Sequence, residues 1–158
     1  MMFSKLIIAV TGSKGSGKTH FSKLLAQKTG LQVINVGDLL ERQLETIGVQ
    51  VKERTKIGSA FFAHFSDDQY YQIIKSAACS GVIIEGIRLV WALKKLKSEK
   101  DNILHIHLIN EPKLEHSDVD GYEGEESVLR QIADVHIDLN NLTAEPEKII
   151  KNIIDSSR

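Results

Sequence analysis

The sequence predicts an α/β fold in which a five-stranded parallel sheet is covered by helices on both faces. Three observations carry that expectation. Short β-branched, apolar runs alternate with helix-length amphipathic stretches along the chain. The runs are apolar throughout, as strands buried on both faces are, rather than at every second residue. A glycine-rich turn also separates the first run from the first amphipathic stretch. Strands and helices in this order pack as a parallel sheet with crossover helices.

Lys5–Val10 is the first strand. Gly17 to about Lys28 follows as a helix, with Phe21, Leu24, Leu25 and Lys28 at helical spacing and Gly30 as its C-cap. Gln32–Val36 is the second strand, and Asp38–Ile47 a helix carrying Leu39, Leu40, Leu44 and Ile47 on one face. The stretch from Val51 to Phe65 reads as helical. Asp67 is then placed as N-cap of a helix over Asp68–Ser80, with Tyr70, Tyr71, Ile74 and Ala77 or Ala78 inward. Val82–Ile87 is the third strand, Leu89–Lys97 a helix, Ile103–Ile109 the fourth strand and Val135–Leu139 the fifth. Glu145–Ile154 closes the chain as an amphipathic helix.

A chain of 158 residues fits a single domain, 1–158. Its one cysteine, Cys79, rules out an internal disulfide and sits among small residues that suggest buried packing. The first apolar run is too short for a signal-peptide core or a membrane span, which gives a cytoplasmic expectation. The net charge of −1 lacks the basic excess of a general nucleic-acid binder. Phosphate recognition must therefore come from a few placed residues.

Those residues follow the first strand. Gly12-Ser13-Lys14-Gly15-Ser16-Gly17-Lys18-Thr19 is a complete G-x-x-x-x-G-K-[ST] phosphate loop. Its glycines allow successive N–H groups to turn inward around phosphate oxygens, and the next helix adds its N-terminal dipole. Lys18 would reach the β- and γ-phosphates, and the Thr19 hydroxyl would ligate Mg²⁺. His20, next in the chain, completes the nucleotide-binding set. The other reading is a Gly/Ser-rich turn with exposed lysines. Neither Asn110-Glu111-Pro112-Lys113 nor Asn140-Asn141-Leu142-Thr143 matches the base-reading N-K-x-D of GTPases.

Three further segments carry a resemblance. Ile34-Asn35-Val36-Gly37-Asp38-Leu39-Leu40 resembles the S-T-G-D-x-L-R segment of adenylate-kinase-like enzymes. Gly81-Val82-Ile83-Ile84-Glu85-Gly86-Ile87-Arg88 is similar to their third strand, and in its compact form to dephospho-CoA-kinase-like proteins. Ala133-Asp134-Val135-His136-Ile137-Asp138-Leu139-Asn140-Asn141 resembles their closing strand. The resemblance implies a P-loop nucleotide-kinase-like fold, with an acceptor-binding helical segment at about 38–80 and a lid-like segment at about 111–132. It also implies ATP as donor and a nucleoside or deoxynucleoside monophosphate or dephospho-CoA-like acceptor.

The residues themselves support placed roles. Asp38 would orient an acceptor hydroxyl or a Mg²⁺-bound water, unless it is only a helix N-cap. Glu85 ends an apolar strand, where a carboxylate needs a metal or a basic partner, or else a structural salt bridge. Arg88 could fork onto an acceptor phosphate or the transferring phosphoryl group, and the alternative is a surface arginine. Arg42, one turn after Asp38, is a further substrate-binding candidate. Arg130 is the candidate lid arginine, with a plain surface role as its rival.

Two departures stand out. Glu41 occupies the arginine position of the G-D-x-L-R pattern, and Arg42 lies one residue on, rotated by about 100° around a helix. The stretch Glu115–Glu126 is acidic where such kinases carry lid arginines. His105, His107 and His136 alternate within their strands and read as strand-face residues, not metal ligands. The expectation is an ATP- and Mg²⁺-dependent phosphotransferase acting on a small acceptor. A lid-poor, non-catalytic nucleotide-binding module, a slow NTPase and a nucleic-acid-end kinase are the rivals.

Overall fold

The computed structural model of the chain describes residues 5–12, 17–109, 123–138, 151–152 and 155. Five strands form one parallel sheet: β1 (Ile7–Gly12), β2 (Gln32–Asn35), β3 (Val82–Glu85), β4 (Ile103–Ile109) and β5 (Val135–Asp138), in the order β2-β3-β1-β4-β5. The helices that connect or cover them are α1 (Lys18–Thr29), α2 (Val36–Glu45), α3 (Ile57–His64), α4 (Asp67–Ala77), α5 (Val90–Glu99) and α6 (Glu123–Ile132). A 3-10 turn at Arg54–Lys56 precedes α3.

The central strand divides the core by its period of two. Ile7 and Ala9 face α2, α3, α4, α5 and α6, where Leu44, Phe61, Tyr71, Leu93 and Leu129 are buried. Ile8 and Val10 face α1, against Phe21 and Leu25. The expected two-faced sheet is therefore present, with register Ala9↔Ile84 on one side and Ala9↔His105 on the other. No helix among the described residues is long and apolar enough to cross a membrane.

Local chemistry shifts several expected boundaries. β1 starts at Ile7 and runs through Thr11 and Gly12, carrying the strand up to the phosphate loop. Asn35, not Asp38, caps α2: its side chain accepts from the Asp38 N–H. The helix thus begins two residues early, at Val36, and ends at Glu45. Ile47 falls in the turn beyond it and is 48% exposed, while Val36 takes the buried place one turn before Leu40. Ser66, not Asp67, caps α4, in a reciprocal capping box with Gln69.

Cys79 is exposed rather than buried. Helix α4 stops at Ala77, Ala78 fills the core position, and the chain turns through Gly81 at φ 85°. Gly30 closes α1 in the left-handed region, donating its N–H to Ala26 O, as its sequence position suggests. Of the expected closing helix over Glu145–Ile154, residues 151 and 152 are helical and the remainder lies outside the described residues.

Candidate active site

All the strands end on one side, and ligands of such sheets gather beyond those carboxyl ends. β1 delivers Thr11 and Gly12 there, and α1 leaves again at Lys18. Gly12 (φ 155°) and Gly17 (φ 94°) hold backbone angles that side chains resist. Ser13, Lys14, Gly15 and Ser16, also expected to cradle phosphate, lie outside the described residues. Thr19 and His20 are exposed on the first turn of α1.

Lys18 donates from Nζ to Gly12 O at 2.9 Å. Burial, and next the neighbouring Arg88 charge, lower its pKa to about 8, against opposing pulls from Glu85 and Glu126. An anionic ligand beside this ammonium and guanidinium would favour the charged form of Lys18.

The ends of β2 and β3 build the second half of the site. A cavity of about 90 Å³ is lined by Lys18, Asn35, Leu40, Arg54, Tyr70 and Arg88, among others. Asn35 joins its parts. Its Oδ1 accepts from the Asp38 N–H (3.0 Å) and from Arg54 (2.8 Å), and its Nδ2 donates to Glu85 Oε1 (3.0 Å). Reversing the amide would set its NH₂ against two donors, so this orientation is fixed by chemistry. Arg54 also pairs with Asp38 Oδ1 at 2.6 Å and approaches Glu41 at 3.8 Å. Gly37 makes room for this cluster, because a Cβ there would stand 3.0 Å from Asn35 Oδ1 and 3.1 Å from Arg54. At Gly86 (φ 95°) the chain bends beyond β3, burying Ile87 and setting Arg88 on the cavity wall.

Glu85 is 4% exposed and accepts from Ser22 Oγ (3.3 Å) as well as from Asn35. Neither partner is basic, so the salt-bridge expectation gives way to neutral donors. Its carboxylate keeps lone pairs free. Its carboxylate and the Thr19 hydroxyl are both hard oxygen donors, the kind that suits Mg²⁺ when phosphate oxygens and water complete the shell. No group of three or more His, Cys, Asp or Glu residues among those described could hold a metal by itself.

The sequence-derived candidates divide accordingly. Lys18, Arg88 and, through Arg54, Asp38 come together. Arg42 does not: it lines a separate groove with Leu39, Gln43 and Ile73, apart from the cavity of Lys18 and Arg88. The one-residue shift turned Glu41 toward Arg54 and Arg42 away. Arg130 is exposed, and its carbonyl accepts from His136 Nε2. Helix α6 turns carboxylates inward instead. Glu125 accepts from the Val90 N–H at 2.8 Å, and Glu126 from His107 Nε2 at 2.9 Å. Residues 110–122, most of the expected lid-like segment, lie outside the described residues.

Arg54 is the site residue that sequence reasoning missed. Nothing in the periodicity of residues 51–65 distinguishes it. The available signal was the need of Asp38 and Glu41, one turn apart, for a counter-charge. His105 and His107 lie on one strand face, as expected, and both are fully buried.

Comparison with known proteins agrees with this geometry. The shikimate kinase of Aquifex aeolicus superposes with a TM-score of 0.62 and 21% identity, covering 96% of this chain and 95% of that one. The shikimate kinase of Bacteroides thetaiotaomicron gives 0.62 at 12% identity, covering 95% and 97%. The fold is that of the P-loop kinases. A Chloroflexus aurantiacus protein assigned as a kinase gives 0.58 at 15% identity over 99% of this chain. In sequence, a Thermococcus kodakarensis protein assigned as an adenylate kinase is 34% identical over a stretch that takes in 38% of this chain. The Saccharomyces cerevisiae pentafunctional AROM polypeptide is 26% identical over 66% of this chain. The chain spans 44% of the length of the first of these relatives and 7% of the second. No family model matches it.

Proposed function

We propose that this P-loop kinase fold carries an ATP- and Mg²⁺-dependent phosphotransferase acting on a compact, anionic, hydroxyl-bearing acceptor. The observation that carries the reading is the cavity in which Lys18, Arg54 and Arg88 meet, next to the phosphate loop. Three cations around one small cavity suit two anionic groups, the terminal phosphate and the acceptor.

The roles follow from position. Lys18 exchanges Gly12 O for phosphate oxygens, and the loop N–H groups hold the remainder of the triphosphate. Thr19 and Glu85 would hold Mg²⁺, which would offset negative charge on the β- and γ-phosphates. Asp38 accepts the acceptor hydroxyl and orients it toward the γ-phosphate, while Arg54 passes from Asp38 to the acceptor's anionic group. Arg88 offsets charge on the transferring group. Catalysis by positioning and electrostatics is what phosphoryl transfer requires.

Acceptor size is the finer part of the proposal. The cavity is compact, about 90 Å³ in volume. That suits a hydroxylated carboxylic acid such as shikimate, bound by one of the solved structures sharing this fold, better than a whole nucleotide. The nucleotide reading keeps the support of the adenylate-kinase-like segment. A non-catalytic nucleotide-binding module is favoured by one observation, that α6 presents Glu125 and Glu126 inward and leaves Arg130 outside.

A coupled ADP-release assay decides among these. It uses ATP and Mg²⁺ with shikimate, nucleoside and deoxynucleoside monophosphates, and dephospho-CoA, and Lys18→Ala as control. Release that depends on one acceptor class and vanishes in the control supports the kinase. Flat traces with ATP binding intact would support the module. Arg88→Ala should cost a kinase orders of magnitude in turnover while leaving ATP affinity near its original value.

A further inference from the structure

Thr11 directly precedes the first glycine of the phosphate loop, and its hydroxyl is buried beneath α6 between two histidines. Its Oγ1 lies 2.7 Å from His105 Nε2 and 2.8 Å from His107 Nδ1. His107 continues the line, its Nε2 standing 2.9 Å from Glu126 Oε1. Thr11 is 1% exposed and both imidazoles 0%. The chain of contacts thus crosses from α6, through β4, to the last residue of β1 before the loop.

Its hydrogen-bond directions follow from the two ends. The Glu126 carboxylate can only accept, so His107 Nε2 carries the proton. Burial lowers the pKa of His107 despite Glu126, and that of His105 to about 3, so both rings are neutral. His107 Nδ1 is then bare and accepts the Thr11 O–H. The Thr11 oxygen in turn accepts from His105 Nε2–H. This leaves His105 Nδ1 as an unprotonated nitrogen, buried and without a hydrogen-bond partner. An orphaned acceptor costs less than the orphaned N–H that the reverse order would create there.

A line of buried polar groups is costly where apolar residues pack well. Ile7, Ala9 and Leu129 do pack on this same face. What the polar line adds is direction at the loop entrance. It fixes Thr11 from its side chain, and the next carbonyl, Gly12 O, is the one that holds Lys18 Nζ.

We propose that Glu126, acting through His107 and Thr11, is a positioning residue that sets the entrance of the phosphate loop, and with it Lys18, for triphosphate. The proposal rests on the nucleotide-binding reading of that loop. Glu126 reaches the loop entrance through these two side chains, beside the direct pull of its charge on Lys18.

The test pairs binding with a spectroscopic readout. Calorimetry with ATP and Mg²⁺ is run on wild type, Thr11→Ser, Thr11→Val, Glu126→Gln and Glu126→Leu, with circular dichroism to check the fold. Thr11→Ser and Glu126→Gln keep the oxygen each link needs, and their ATP dissociation constants should stay within about threefold of wild type. Thr11→Val and Glu126→Leu break the line and should weaken ATP binding tenfold or more. In the free wild-type protein, ¹⁵N spectra should show the Nε2–H tautomer at both His105 and His107. Binding unchanged in both Thr11→Val and Glu126→Leu, or an Nδ1–H or charged His107, would overturn the proposal alone. Wild-type protein that binds no ATP would overturn the nucleotide reading and this proposal with it.

Discussion

Replacing Arg54 by Met separates what that side chain does for the fold from what it does for the acceptor. Its ion pair with Asp38 is exposed on both sides, 55% and 54%, so solvent screens it and it contributes about 0.2–1 kcal/mol. For a domain of this length that is a fall in Tm of about 2–4 °C at most. An arginine bonded to an anionic acceptor contributes more, about 1.5–3 kcal/mol per charged hydrogen bond, or roughly a ten- to hundredfold change. With the acceptor identified from the panel, ADP release is measured as a function of acceptor and of ATP. Arg54→Met should raise the acceptor KM by that factor and leave the ATP KM unchanged. Gly37→Ala should do the same to a smaller degree, because its Cβ would crowd Arg54 at 3.1 Å and Asn35 Oδ1 at 3.0 Å. An acceptor KM within twofold of wild type, or an ATP KM that rises with it, would refute the placement of the acceptor beside Arg54.

Other outcomes follow from the same geometry. Lys18 has a folded-state pKa of about 8, below its ordinary 10.5. Its charged form therefore costs about 3 kcal/mol below pH 8, and the cost fades as pH rises from 8 to 10.5. Allowing about 1 kcal/mol for the lost bond to Gly12 O, ligand-free Lys18→Met should melt above wild type at pH 7 and lose that advantage near pH 10. Glu85→Leu leaves the Ser22 and Asn35 donors without their acceptor inside the protein, and should cost about 2–4 kcal/mol in urea unfolding, with Glu85→Gln losing clearly less. Phe61→Ala empties a fully buried position stacked on Phe65 and should cost about 3–5 kcal/mol by the same measure. Ser66→Ala removes half of a capping box and should cost about 1 kcal/mol.

The sheet was legible in the sequence because its strands are short apolar blocks and its phosphate loop has fixed spacing. Lys18 was legible from the spacing of its motif, and Asp38, Glu85 and Arg88 because they stand at or just past strand ends, where a charge has few structural uses. What escaped depends on which side chain reaches a cap first. Asn35 captured the α2 N-terminus, which moved the helix two residues, released Asp38 to Arg54 and pushed Ile47 into solvent. The one-residue displacement of the arginine set Glu41 and not Arg42 toward Arg54. Arg54 and the buried line from Thr11 to Glu126 join residues far apart in the chain, and no period within a single element records such contacts.

The central claim is transfer of phosphate from ATP to a molecule held between Lys18, Arg54 and Arg88. Its most direct test is to incubate the protein with γ-labelled ATP, Mg²⁺ and the acceptor panel, and to separate the products. The account predicts label in one acceptor class, lost in Lys18→Ala and strongly reduced in Arg88→Ala. Label released only as inorganic phosphate, or left in ATP with every acceptor, would contradict it.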